Sequence, residues 1–340
     1  MRVLKAEQEV QRLRDYALAI TKVEKGSTRK GMAMQLMVQQ GADINLPGGE
    51  DEEIPIADAL RALDAPLVRF LVKAGVDVNH PDPKYDTPLL IRVHEIPIDH
   101  ADVMKMVHIL IDADADVNMI DTRDDGLTRD CTPLHAATSH GYLEVVRALI
   151  EAGADVNKGD TEYSTTNLRA AIERDHVEVA QVLIAAGADV NNTNNDPAIG
   201  GETPLCIAAM VPSGVNYACS SHRAALMCGV LIEAGADVNK DNIDEGHTPM
   251  HVAVFFENVE VVQLLIAAGA DLNKVNSTDG QTPLYLAARI GNAQLAQALI
   301  AAGADVNKGD TMEWETPLCC ANRCNHSEVA KLLVAAGTKD

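Results

Sequence analysis

Aromatic residues are scarce in this chain: one Trp, six Tyr and three Phe make up 3% of its 340 positions. A core built almost without rings must use small and aliphatic side chains, which suits thin helical layers stacked on their neighbours. Positive charge is also in short supply, since 28 Lys and Arg face 50 Asp and Glu and leave a formal net charge of −22. Nucleic acid and anionic membrane surfaces are bound by Lys and Arg that neutralise phosphate, so neither is expected as a partner. A basic protein would instead be steered toward the chain. No run of apolar residues is long enough to cross a bilayer, and the opening MRVLKAEQEVQRLR has no apolar centre of the signal-peptide kind. The expected compartment is the cytoplasm, with a cytoskeletal location as its variant.

Seven cysteines, an odd number at irregular spacing, exclude a disulfide framework and read as small buried apolar residues. The stretch CCANRCNH at 319–326 gathers three thiols and an imidazole. Structural zinc motifs present two separated ligand pairs, so no metal is expected there. Other chemical signatures fail in similar ways. HEIPIDH (94–100) has Ile98 where a zinc-binding helix needs histidine, and GSTRKG (26–31) lacks the length and ending of a phosphate loop. DTRDDG (121–126) puts Arg123 at the third calcium-ligand position and Thr132 at the twelfth. No pattern marks a nucleophile, base and orienter, so the expectation is a protein without enzymatic activity, cofactor or metal.

What the chain has in abundance is repetition. EAGADVNKGD at 151–160 returns as AAGADVNKGD at 301–310. Anchored on the glycine of this motif, copies fall at Gly41, Gly75, Gly153, Gly187, Gly235, Gly269 and Gly303, with a degenerate copy at Asp114 and a truncated one at Gly337. Successive steps are 34, 39, 39, 34, 48, 34, 34 and 34 residues, so a unit of about 34 tiles nearly the whole sequence. A second landmark is Thr-Pro, at Thr87, Thr132, Thr203, Thr248, Thr282 and Thr316. Threonine caps a helix N-terminus, and proline fits the first turn because its missing N–H would be unpaired there. The spacing predicts a first helix as in TPLYLAARIGN (282–292) and an amphipathic second helix as in VEVVQLLIAAG (259–269). Gly269 falls where a left-handed C-cap is wanted. The polar remainder predicts an extended finger with a tight turn.

TPLH (Thr132 to His135), the G-x-x-E-V-V-x-x-L-I run from Gly141 to Ile150, and AGADVN (Ala152 to Asn157) resemble the ankyrin repeat. The resemblance recurs over roughly residues 41–340. It implies an all-α solenoid of about eight to nine helix-turn-helix units with β-hairpin-like fingers, in which fingers and first helices line a concave, protein-binding surface. The expected organisation is a divergent helical N-terminal cap at 1–45, then units at 46–79, 80–118, 119–157, 158–191, 192–239, 240–273, 274–307 and 308–340. His135 and His251 are expected to hydrogen-bond neighbouring fingers. The resemblance also implies asparaginyl hydroxylation at Asn157 and Asn307, which follow Leu149 and Leu299 by eight positions.

Since repeat positions hold the stack together, function is sought in departures from the repeat. The finger at 119–131 is five residues longer than the norm and that at 192–202 three longer; the turns near 93–100 and 210–222 gain about six and eleven residues. Tyr163 and Trp314 lie in fingers, and Phe255 and Phe256 replace the polar pair that normally ends the first helix. These aromatics are candidate partner contacts, joined by Asp124, Asp125 and Arg129 of the long finger and by Tyr217 of the long turn. Acidic clusters occur in fingers, as in GGEDEE (48–53) and IDEG (243–246), which favours a basic partner. The unit 308–340 keeps an apolar second helix, SEVAKLLVA, offering a face for a packing partner. Three function classes fit: a protein-binding scaffold or adaptor, a structural subunit of a cytoskeletal or axonemal assembly, and, least supported, a secreted bacterial effector or the targeting module of an enzyme.

Overall fold

The computed structural model describes residues 43–45, 54–81, 87–89, 100–120, 131–159, 165–193, 201–210, 217–311 and 315–338. The expected cap at 1–45 lies outside them except for its last three residues. Two compact units are present, residues 1–162 and 163–340. The first holds α1 (Pro55–Arg61), α2 (Ala65–Lys73), α3 (His100–Ile111), α4 (Pro133–His140) and α5 (Leu143–Glu151). The second holds α6 (Asn167–Glu173), α7 (Val177–Ala185), α8 (Pro204–Ala209), α9 (Tyr217–Glu233), α10 (Pro249–Phe255), α11 (Val259–Ala267), α12 (Pro283–Ile290), α13 (Ala293–Ala301), α14 (Pro317–Arg323) and α15 (Ser327–Ala335).

The first helix of each pair is short because both of its ends are written into the sequence. In extended conformation, Thr132, Thr166, Thr203, Thr248, Thr282 and Thr316 each accept the N–H three residues on, at 3.1–3.4 Å. Two turns later the backbone enters the left-handed region, at Gly141 and Gly291 and also at Asp175, Glu257 and Asn325. At Gly291 a Cβ would collide with the His326 ring of the next unit. The second helix ends in a Schellman motif: around Gly269 (φ 81°), the Ala270 N–H reaches the Leu265 carbonyl at 3.0 Å and the Gly269 N–H reaches Ile266 at 3.1 Å. Asp114, in the degenerate copy, takes the same conformation (φ 61°) and the same pair of bonds to Leu110 and Ile111.

Packing follows the period. In the second unit the first helices contact one another in the order α6, α8, α10, α12, α14, and the second helices in the order α7, α9, α11, α13, α15. Within the first unit α2, α3 and α5 contact one another in that order, with α1 against α2 and α4 against α5. One leucine per second helix marks the core: Leu71, Leu110, Leu149, Leu183, Leu231, Leu265, Leu299 and Leu333 are all fully buried. Truncating such a side chain to alanine costs about 2–5 kcal/mol.

Between units runs a polar ladder. The carboxylate of each motif aspartate accepts the N–H of the asparagine two residues on, as in Asp237–Asn239 at 2.9 Å. That asparagine's Oδ1 then accepts the aspartate N–H of the following unit. The pairs are Asn45–Asp77, Asn79–Asp116, Asn118–Asp155, Asn191–Asp237, Asn239–Asp271 and Asn273–Asp305, at 2.7–2.8 Å. Lys158, Lys240, Lys274 and Lys308 add Nζ bonds to the asparagine carbonyl one unit back, at 2.7–3.0 Å. The ladder tolerates insertion: Asn191 reaches Asp237 across the longest step in the chain.

In three fingers the β-hairpin-like character rests on one cross-turn backbone bond, with Ser277 N–H to Glu245 O at 3.0 Å and Thr311 N–H to Gly280 O at 3.2 Å joining neighbouring fingers. Asn242 N–H to His247 O, Asn276 N–H to Gln281 O and Asp310 N–H to Glu315 O close the turns at 2.9–3.0 Å, and no strand occurs among the described residues. The insertion at 210–222 is also redistributed: Tyr217 to His222 form the start of the 17-residue α9 and lengthen that helix, where the sequence suggested a longer loop.

Asn191 makes two bonds to the next unit, through Oδ1 to Asp237 N and through Nδ2 to Gly235 O at 3.3 Å. Asn191→Ala is therefore expected to lower the unfolding free energy by about 1–2 kcal/mol, read from denaturant midpoints. An unchanged midpoint would mean that the ladder contributes nothing to stability.

Candidate functional site

The surface shared by fingers and first helices is built around one register position, the third residue of the first helix. In the second unit it holds Arg169, Cys206, His251, Tyr285 and Cys319. Four of these reach the residue just before the next unit's capping threonine. His251 Nε2 donates to the Gln281 carbonyl at 3.0 Å, Cys206 Sγ to the His247 carbonyl at 3.7 Å, Tyr285 Oη to Glu315 Oε2 at 2.7 Å, and Arg169 approaches Glu202 at 3.9 Å. The chemistry varies while the geometry stays fixed.

His251 also closes its own helix start. Its Nδ1 accepts the Thr248 N–H at 3.2 Å while Thr248 Oγ1 accepts the His251 N–H, a capping box. Burial pushes the His251 pKa down to about 4, opposed by its bond to the Gln281 carbonyl. The neighbouring His247 is held by Asn276 Nδ2 at 2.9 Å and by Glu245 at 2.8 Å. Burial holds the Glu202 carboxyl above its usual range, with Glu173 and Glu245 adding to the effect and Arg169 opposing it. Arg323 clamps Glu315 through two bonds of 2.8 and 3.0 Å and holds that carboxyl below its usual range.

The register of helix pairs, the capped threonines and the repeated finger have direct counterparts among known proteins. A family model for ankyrin repeats matches three times in succession, at residues 100–194, 192–276 and 268–340. The chain belongs to the ankyrin repeat family. Among solved structures, an ankyrin repeat domain from Acinetobacter baumannii AYE is similar at 30% identity and a TM-score of 0.53, over 61% of this chain and 98% of that one. No curated protein matches.

The candidate contact residues of this ankyrin chain fall into two groups. Tyr163, Trp314, Asp124, Asp125 and Arg129 lie outside the described residues. Phe255 and Phe256 end α10, 56% and 37% exposed, and meet edge-on with ring centroids 5.3 Å apart. They pack on each other and leave much of both rings in solvent. Tyr217 opens α9. Asn157 and Asn307 occupy the ladder position, each donating its N–H to the aspartate two residues back at 2.9–3.0 Å.

Of the described cysteines, Cys131, Cys206, Cys228 and Cys320 are buried as the composition suggests, whereas Cys319 is exposed and Cys324 half-buried; the side chain of Cys219 lies outside the described residues. Burial raises the pKa of the Cys206 and Cys228 thiols to about 12, which makes them poor nucleophiles. No group of three His, Cys, Asp or Glu with metal-binding geometry occurs among the described residues, nor any helix long and apolar enough to cross a membrane.

Sequence reasoning placed His251 in the seam and missed Arg169, Cys206 and Tyr285, which do the same task with other groups. Aligning all units on the capping threonine would have exposed them. The seam also fixes a pH response. Because the fold lowers the His251 pKa from 6.5 to about 4, the neutral ring contributes stability that is complete above pH 6.5 and is lost as pH falls through 4. His251→Gln is expected to be less stable than wild type at pH 7.5. The gap should narrow by up to about 3 kcal/mol by pH 4, measured by chemical denaturation across that range. A gap independent of pH would show that the imidazole does not titrate as buried.

Proposed function

We propose that this ankyrin stack is a non-enzymatic scaffold or adaptor that holds a protein partner on its finger and first-helix side, the surface that is concave in this family. Ankyrin repeats are in general protein–protein interaction modules. The observation that carries the reading is the pair Phe255 and Phe256, rings left exposed at a helix end where the next unit has Arg289 and Ile290. A stack held together by aliphatic side chains has no structural use for two solvent-facing rings, whereas protein interfaces favour them as anchors. Tyr163, Trp314, Tyr217 and the long finger with Asp124, Asp125 and Arg129 complete the proposed contact set. The exposed acidic tip at Asp244 and Glu245 suits a basic element of the partner. The proposed setting is cytoplasmic.

A second reading, a structural subunit of a cytoskeletal assembly, is favoured by one feature of the unit 308–340. Val334 is 61% exposed, whereas the equivalent Ile266 and Ile300 are half-buried, and Cys319 is exposed where Tyr285 is 2% exposed. A packing partner would sit on this face. Proximity crosslinking with mass spectrometry on the native protein in its own cell extract separates the two readings. Crosslinks confined to the finger and first-helix side, shared among several substoichiometric proteins, are the adaptor outcome. Crosslinks from both that side and the 327–335 helix to one fixed set of abundant neighbours would replace it with the structural subunit.

Hydroxylation of Asn157 and Asn307 is proposed on the family resemblance, each preceded at eight residues by a buried leucine. Peptide mass spectrometry of native protein should find one added oxygen atom at each site. Unmodified asparagine throughout would leave these residues a structural role alone.

A further inference from the structure

We propose that the row of first-helix ends in residues 163–340 is a polarity-graded docking strip. Its occupant is a protein segment carrying an apolar anchor, with a carboxylate on one side of the anchor and a cation on the other. The proposal rests on the protein-binding reading above and specifies the partner's chemistry.

The strip follows from register. First helices α6, α8, α10, α12 and α14 lie side by side in that order. Counted from the capping threonine as one, the eighth position of the five units is Glu173, Met210, Phe255, Arg289 and Arg323. On α10 and α12 every helical residue before this position is buried, so this position is what those helices present to a partner. Read along the stack the row is acidic, apolar, apolar, basic, basic. Met210 is half-buried and the other four are exposed.

Two of the three charged residues are already engaged within the stack. Glu173 accepts from the buried Arg169 at 2.6 Å, and Arg323 is clamped by Glu315. Arg289 forms no ion pair among the described residues, and its guanidinium stands one unit beyond the exposed Phe255 ring. In a chain of net charge −22, an exposed arginine without an ion-pair partner is a local exception in sign. A uniformly basic segment would be attracted to the exposed Asp244 and Glu245 but repelled where it passed Arg289. A uniformly acidic one meets the reverse. Only a segment whose charge changes sign across an apolar anchor matches Asp244 and Glu245, the Phe255 ring and Arg289 together.

Packed helices lie about 8–10 Å apart. The step from the anchor on Phe255 to a carboxylate on Arg289 therefore spans about five to seven residues of partner helix or about three of extended chain.

The test is selection of displayed random 16-residue peptides on the intact 340-residue chain, repeated on Arg289→Glu and Phe255→Ala. Both side chains are exposed, so circular dichroism and Tm should match wild type. Enriched peptides are expected to carry an aromatic or aliphatic anchor, with Asp or Glu about three, or about five to seven, positions to one side and Lys or Arg on the other. Those peptides should bind each variant about ten-fold or more weakly, and selection on Arg289→Glu should replace the acidic residue by a basic one. Enrichment of uniformly basic peptides, or of none, would overturn the strip. Peptides that bind both variants as tightly as wild type would also overturn it while leaving a protein-binding role elsewhere on the stack intact; that role stands or falls on the crosslinking experiment.

Discussion

The hydrogen bond from the aspartate N–H of one unit to the asparagine side chain of the unit before it is the contact on which the rest of this stack depends. It is short and recurs at six described junctions. It also sets where each finger starts relative to the last. Behind it a fully buried leucine locks each second helix, and ahead of it the finger turn and the capping threonine position the next first helix. Since each unit bonds only to its neighbours, stability is roughly a sum of local and nearest-neighbour terms. Departures from the repeat are then free to serve recognition, provided the bond is kept. The fourteen extra residues in the 48-residue step from Gly187 to Gly235 illustrate this, because the junction they interrupt still closes at 2.7 Å.

Within that frame the seam position shows how a solenoid exchanges chemistry without changing geometry. Arginine, cysteine, histidine and tyrosine all bridge from the third residue of a first helix to the residue before the next cap. Each bond joins adjacent units through a different donor, and each brings its own response to pH or to chemical modification. Histidine at this position couples the stack to acid, because a buried neutral ring must be protonated to release it. Tyrosine instead ties its hydroxyl to Glu315, and Arg323 draws the same carboxylate toward the helix end.

Much of the fold was legible in the sequence because an ankyrin unit is specified locally. The glycine of the G-A-D-x-N motif marks the left-handed turn, the Thr-Pro pair marks the helix start, and the period of about 34 sets neighbours side by side. The departures were legible only as excess length or unusual residue type. That 210–222 would lengthen α9 could not be read from its composition, since Gly and Pro early in the insertion suggest a loop while the residues after them continue a helix. The cysteines divide for the same reason: Cys319 and Cys320 are adjacent in sequence, yet one faces the open side of its helix and the other the core.

By itself the sequence determined the family, the helical units, their register and the acidic balance, all of which depend on residues close together in the chain. Tertiary structure decided which side chains face solvent and which charges remain available. Glu173, Met210, Phe255, Arg289 and Arg323 are separated by 34 to 45 residues from one to the next and form a row only because their helices stack. Arg323 is committed to Glu315 while Arg289, at the equivalent position, is not. That difference depends on what the finger of each unit places beside the helix end, which spacing along the chain does not encode.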